Sequence, residues 1–203
     1  TDAVERVKPM CMYWYNESYR RAESSHAHGE FLKRVYGANL CQHGIMDQEQ
    51  LHAMIDILGL GPSNRVLDIG SGNGMIAEYM SDVTGATVIG TDIADDAIRR
   101  AMERTESKRQ RLSFEVRNMY QLDMEPASFD TVTAIDSLYF VSDIADTVRQ
   151  VARLLQPGGQ MGFFYGTMIL GRDTEREVQP DGTALARVLQ ELQLDYQAHD
   201  FTA

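Results

Sequence analysis

The sequence predicts a doubly wound α/β domain, a mostly parallel sheet covered by helices on both faces, with a helical segment in front of it. Three observations carry this reading. From residue 64 onward short apolar runs alternate with stretches of helical periodicity, a glycine-rich turn joins the first run to the first helix, and residues 1–60 show no evident strand. Strands alternating with helices imply βαβ units, whose crossovers leave the strands parallel and put the helices outside.

The runs Arg65–Ile69, Thr87–Asp92, Ser113–Val116, Thr131–Ile135 and Gln160–Tyr165 read as strands. Between them, 74–84 sets Met75, Ile76, Tyr79, Met80 and Val83 on one helical face, and 95–107 does the same with Ile98, Ala101, Met102 and Thr105. Residues 143–155 come next with Ile144, Val148, Val151 and Leu155, capped by Ser142 or Asp143 and stopped before Pro157-Gly158-Gly159. The gap at 117–130 shows no clear helix. In front of the sheet, helices are expected over 3–21, 29–37 and 47–59, the last placing Leu51, Met54, Ile55 and Leu58 on one face and ending at Gly59, Gly61 and Pro62. The polar stretch Ser24–Gly29 reads as a turn. Beyond strand five a helix is expected at 182–193 and a strand at 195–202. Residues 1–60 thus form a helical cap or lid and 61–203 the sheet core.

A chain of 203 residues with 43% apolar side chains suffices for one domain with a buried parallel sheet. It holds no run of about eighteen apolar residues, and Asp2, Glu5, Arg6 and Lys8 interrupt any signal peptide. Cytoplasmic location with no membrane association is the expectation. Cys11 and Cys41 lack metal-site spacing and read as reduced thiols, with no metal expected. A formal charge of −11 argues against nucleic acid as a partner, because such binding begins with a clustered basic surface. The basic stretch Arg99, Arg100, Arg104, Lys108, Arg109 and Arg111 is interleaved with Glu103 and Glu106, as on a solvated helix face.

The chemistry is concentrated in Val66-Leu67-Asp68-Ile69-Gly70-Ser71-Gly72-Asn73-Gly74, a strand running into a glycine-rich turn and then a helix. Without Cβ atoms, Gly70, Gly72 and Gly74 let the backbone turn sharply and approach a ligand at the carboxyl end of the strand, where open α/β sheets bind ligands. Asp68 is suited to bond a cationic group such as an α-ammonium. About twenty residues on, Asp92 ends the second strand, where such folds hold ribose hydroxyls. The nicotinamide fingerprint needs its third glycine where Met75 stands, which argues against a dinucleotide.

On these residues the chain resembles the class I S-adenosylmethionine-dependent methyltransferases, a Rossmann-like family whose first strand and loop read (V/L)LDxGxGxG. The likeness extends from residue 65 to about 166, through Ser128–Tyr139 as the fourth strand with the residues just after it, and Leu154-Leu155-Gln156-Pro157-Gly158-Gly159 as the turn before strand five. It implies S-adenosyl-L-methionine as cofactor and S-adenosyl-L-homocysteine as product. Gly70, Ser71, Gly72 and Gly74 then pass beside the methionine part, Asp92 and Ile93 meet the ribose, and Asn118 and Met119 stand near the adenine. Asn118 replaces the family's carboxylate there. The family's sheet ends in an antiparallel pair after strand five, and the sequence offers material for one strand of it; either the chain is a fragment of a longer protein or its sheet has an unusual edge, and the first is the expectation because an unpaired edge is a liability.

Methyl transfer needs a base only if the acceptor arrives protonated. Asp136 and Tyr139 come after strand four, and His26, His28, Tyr36 and His43 lie in the cap; Asp136, Tyr139 and His43 are the favoured candidates, with Asp136 also a cofactor contact. Tyr13, Trp14, Tyr15 and Tyr19 are candidate walls of an acceptor pocket. The expected activity is methylation of a small-molecule O, N or C nucleophile. An RNA or protein methyltransferase and a non-catalytic cofactor-binding module are the alternatives. The residues after strand four, Asp136-Ser137-Leu138-Tyr139, lack the (D/N/S)PP(Y/F/W) order of amino-methylating nucleic-acid enzymes.

Overall fold

A computed structural model describes residues 2–166 and 179–201, with the side chains of residues 2–11 and of Tyr139 outside the described set. Three helices come first: α1 (Asp2–Ser24), α2 (His26–Tyr36) and α3 (Gln48–Ile57). The sheet domain then runs β1 (Arg65–Ile69), α4 (Met75–Thr84), β2 (Thr87–Asp92), α5 (Asp95–Arg104), β3 (Leu112–Val116), β4 (Phe129–Ile135), α6 (Ile144–Leu154), β5 (Leu155–Phe164) and α7 (Ala184–Glu191). The five strands lie in the order β3-β2-β1-β4-β5, all parallel. The order reverses between β1 and β4, which opens a crevice at their carboxyl ends.

Alternation along each strand assigns the two faces. Leu67 and Ile69 of β1 join Val132 and Ala134 of β4 under Val148, Val151 and Leu154 of α6 and Leu185 of α7. On the opposite face Val66, Val88 and Phe114 pack against Ala77 of α4 and Ile98 and Ala101 of α5. The apolar face of α3, Leu51, Met54, Ile55 and Leu58, meets Met80 and Ile135.

Three expectations are corrected. Ser24–Gly29 is not a turn: Ser25 caps α2 by accepting the amide of His28, so only one residue separates α1 from α2 and both His26 and His28 are helical. Pro157-Gly158-Gly159 does not precede β5 but lies inside it. The ladder pairs Phe129 with Leu155 and next Thr131 with Gln160, so the segment between bulges out, with Gly158 at φ +82°. Residues 195–201 carry no strand. Gln193 turns the chain with φ +54° at the end of α7, Leu194 packs on the core, and Phe201 reaches Phe164 of β5 ring to ring without a backbone ladder.

Candidate active site

The turn after β1 is shaped by backbone that only glycine adopts without strain: φ is +73° at Gly70, +58° at Gly72 and +76° at Gly74. Each glycine also makes room for one of the protein's own side chains. A Cβ on Gly70 would lie 2.5 Å from that of Ser137, one on Gly72 would overlap the phenol of Tyr19, and one on Gly74 would run into the ring of Phe114. The loop is therefore clamped between β3, β4 and α1.

Two carboxylates flank this loop. Asp92, at the end of β2, accepts the amides of Gly72 and Ala94 at 2.8 Å each, one on each oxygen. Burial pushes its pKa up and these amide bonds pull it back. Asp136, just past β4, accepts the amides of Ile45 and Met46 on Oδ2, while its buried Oδ1 has no partner. Burial raises its pKa as well. It stands at φ +48°, an uncommon conformation for a residue with a Cβ and a recurrent one at functional sites.

Between these groups lies a cavity of about 570 Å³. Its floor is Gly70, Ser71, Asn73, Ile76, Thr91, Asp92, Ile93 and Arg117 to Tyr120; Ile135, Asp136, Ser137, Phe140 and Ser142 form one side. The remaining wall comes from the N-terminal segment: Trp14, Tyr15 and Tyr19 of α1, and Leu40 to Gly44 with Met46. The side chain of Asn16 ties α1 to the sheet domain by accepting the amides of Asp96 and Ala97, which caps α5 in place of the uncapping Ala94. Glu23 adds bonds from Asn73 at 3.0 Å and Arg100 at 2.9 Å. Stacked rings of Tyr19 and His43, 4.2 Å apart and parallel within 2°, join α1 to the loop. Gln42 Oε1 and Asp136 Oδ1, both on lining residues, are buried and unpartnered, so the site fits a ligand bearing N–H or ammonium donors.

Comparison with known proteins gives this geometry a lineage. Residues 66–159 match the family model of a methyltransferase domain. The chain is 32% identical over 191 residues to the 27-O-demethylrifamycin SV methyltransferase of Amycolatopsis mediterranei, covering 85% of this chain and 68% of that one. The chain belongs to the class I S-adenosylmethionine-dependent methyltransferases. A second relative of the methyltransferase, the ubiquinone biosynthesis O-methyltransferase of Paracidovorax citrulli, is 39% identical over 109 residues, 52% of this chain and 45% of that one. The chain thus spans just over two thirds of the first relative and under half of the second. The fold is also that of a Haemonchus contortus phosphoethanolamine N-methyltransferase 2 solved with S-adenosylhomocysteine, at TM-score 0.58 and 23% identity, over 72% of this chain and 35% of that one. S-adenosylmethionine is the family's cofactor.

The methyltransferase brings most of the sequence-derived site residues to one place and leaves some beneath it. Gly70, Ser71, Asp92, Ile93, Asn118, Met119, Asp136 and His43 line the cavity. Asp68, Gly72 and Gly74 do not. Asp68 lies in the sheet at 2% exposure, where Thr133, its register partner on β4, donates to Oδ1 at 2.9 Å; burial pushes its pKa to about 7. Asn118 lines the floor, but its carbonyl already accepts the amide of Tyr120 in an Asx turn. The Tyr139 side chain lies outside the described residues. His26 is exposed on α2, whereas His28 and Tyr36 are half-buried, and none of the three is in the lining; Trp14, Tyr15 and Tyr19 do line the cavity, and Tyr13 does not. Gln42 and Phe140 line the cavity with no sequence signal to mark them. Gln42 sits beside His43 in a segment with no periodicity, and Phe140 comes directly after Tyr139 in a 3-10 turn, so neither carried a local signal.

The basic stretch at 99–111 is spent on ion pairs: Arg99 and Arg100 with Asp96, Arg104 and Lys108 with Glu78, Arg111 with Asp82. No described helix is long and apolar enough to cross a membrane, and among the described residues no His, Cys, Asp and Glu cluster could hold a metal.

Proposed function

We propose that this methyltransferase moves a methyl group to an oxygen, nitrogen or carbon nucleophile of a small molecule. The observation that carries the reading is the cavity itself, whose volume of about 570 Å³ lies in the range of small-molecule sites and which is walled on one side by the N-terminal segment. The formal charge of −11 repels a polyanion. Two relatives named for methylating the oxygens of rifamycin and ubiquinone precursors support an oxygen acceptor.

S-adenosylmethionine, when bound, supplies an electrophilic methyl on a sulfonium sulfur. An in-line displacement asks the chain mainly for alignment and exclusion of water. Asp92 retains free lone pairs after bonding Gly72 and Ala94, and these accept from ribose hydroxyls. Gly70 and Ser71 offer backbone beside the methionine part, with Ile93, Asn118 and Met119 toward the adenine. The unpartnered Oδ1 of Asp136 suits an ammonium or an acceptor hydroxyl. His43, whose enclosure on one face holds its pKa below the ordinary histidine value, is neutral near pH 7 and suited to take a proton. In this reading residues 1–60 act as a lid that keeps water from the reacting pair. Cytosolic work is consistent with the free thiol of the buried Cys41.

Two measurements test the proposal. Calorimetry should find S-adenosylhomocysteine bound and NAD ignored. Release of S-adenosylhomocysteine should be turned on by members of a panel of phenols, alcohols and amines. Binding without turnover on that panel, but with turnover on total RNA or protein, would refute the small-molecule reading.

A further inference from the structure

We infer that the acceptor is a molecule with a large apolar body and no anionic group, and that Trp14 and Phe140 select it at the mouth of the cavity. The inference rests on the methyltransferase reading above and names the substrate class of that site.

Trp14 and Phe140 both line the cavity, yet they are 59% and 53% exposed. They come from distant parts of the chain, α1 and the turn after β4. Tyr15 joins them into one lip, its ring edge-on to Trp14 at 4.9 Å and to Phe140 at 5.8 Å. Phe140 is held from below, since Tyr120 donates its hydroxyl to the Phe140 carbonyl at 2.7 Å. An exposed aromatic surface continuous with a ligand cavity gains free energy when an apolar ligand covers it, and a lip at the mouth meets the part of the acceptor that stays outside.

Charge narrows the class. The lining carries the carboxylates of Asp92 and Asp136 and one constant cation, Arg117. That guanidinium is already engaged, with Nε donating to Glu115 at 2.6 Å and Nη1 to the Asp123 carbonyl at 2.8 Å. An acceptor carrying a carboxylate or phosphate would meet two like charges and no unengaged constant cation among the described lining residues.

The probes are 1-alkanols from butanol to decanol, with decanoate for comparison, added to the full chain saturated with S-adenosylhomocysteine at pH 8. Trp14 is the one tryptophan of the sequence, so its emission reports the lip directly. Saturable blue shifts are expected, with affinity tightening two- to about fourfold per methylene, the scale of burying a CH₂, and with decanoate at least about tenfold weaker than decanol. Phe140→Ser, which keeps the carbonyl used by Tyr120, should flatten the chain-length dependence; should this variant not fold, the parent series still decides. A flat parent series, decanoate binding as well as decanol, or a blue shift that tracks protein concentration without alkanol would overturn the inference, the last assigning the lip to a second copy of the chain. Failure of S-adenosylhomocysteine to bind at all would instead bring down the methyltransferase reading together with this one.

Discussion

The Oδ2 atom of Asp136 accepts the amide of Ile45 at 2.7 Å, so a carboxylate at the end of β4 fastens the loop that closes the cavity from the N-terminal side. Met46 adds a second amide at 3.2 Å, and Gly44 passes so close to the carboxylate that a Cβ there would overlap it. One side chain thereby joins the loop before α3 to the carboxyl end of the sheet. Asp136→Asn keeps an acceptor for the loop but cannot take a proton. It should lower kcat more than tenfold and weaken S-adenosylhomocysteine binding as well, because the amide lacks the charge that suits the cofactor's ammonium, while the fold stays intact. Gly44→Ala should do the reverse of a clean base loss, raising KM and lowering thermal stability together because the loop is displaced. Steady-state kinetics with an accepted substrate separate the two.

Asp92→Ala should weaken S-adenosylhomocysteine binding by roughly 1.5–3 kcal/mol, about 10- to 150-fold, the scale of hydrogen bonds to a charged group. The structure adds a second cost, since the Gly72 and Ala94 amides lose their acceptor. Calorimetry and a urea midpoint on the same protein measure both. Unchanged affinity would mean that Asp92 holds only the loop.

Gly72→Val should destabilise the fold by more than about 2 kcal/mol, combining a left-handed φ of +58° with overlap on the Tyr19 phenol. The clash can be isolated. In a Tyr19→Ala background the added cost of Gly72→Ala should fall, leaving the backbone penalty alone; a double-mutant cycle by denaturation gives the coupling. Zero coupling would show that the glycine serves the backbone only.

Asp68 sets a pH dependence of stability. Unfolded, it titrates near 3.8, and burial raises it to about 7 in the fold, so its contribution is full below pH 4 and is lost as pH rises through about 7. Asp68→Asn cannot ionise and still offers Thr133 an acceptor. The variant's unfolding free energy from urea titrations should therefore gain on the parent's between pH 4 and pH 7.5, by on the order of a few kcal/mol. A constant difference across that window would mean that Asp68 titrates normally.

How much of this was legible in the sequence depends on how far apart the residues behind each feature lie. The βαβ alternation, the glycine turn after Ile69 and the carboxylate at Asp92 are local patterns, and a period of two or of 3.6 residues reports which face is buried whatever the partner. The motif also marked the rim of the sheet that carries the cavity, because the topology puts every strand's carboxyl end on one side. Ser25 as a one-residue break between α1 and α2 was hidden in a stretch whose composition suggests a turn.

The remainder depended on which distant groups meet. Sequence alone determined the strands and helices, the glycine loop and the carboxylate that ends the second strand. Only the tertiary structure decided that Tyr19, Ser137 and Phe114 take up the room the glycines leave, that Asp68 spends its carboxylate on Thr133, and that Asp136 latches Ile45 across 91 positions of chain. It also decided that residues 195–201 stay off the sheet. Periodicity is written into neighbouring residues by backbone geometry, whereas a hydrogen bond or a ring contact between remote residues is selected by packing and burial of the whole fold, and no window of sequence contains both partners.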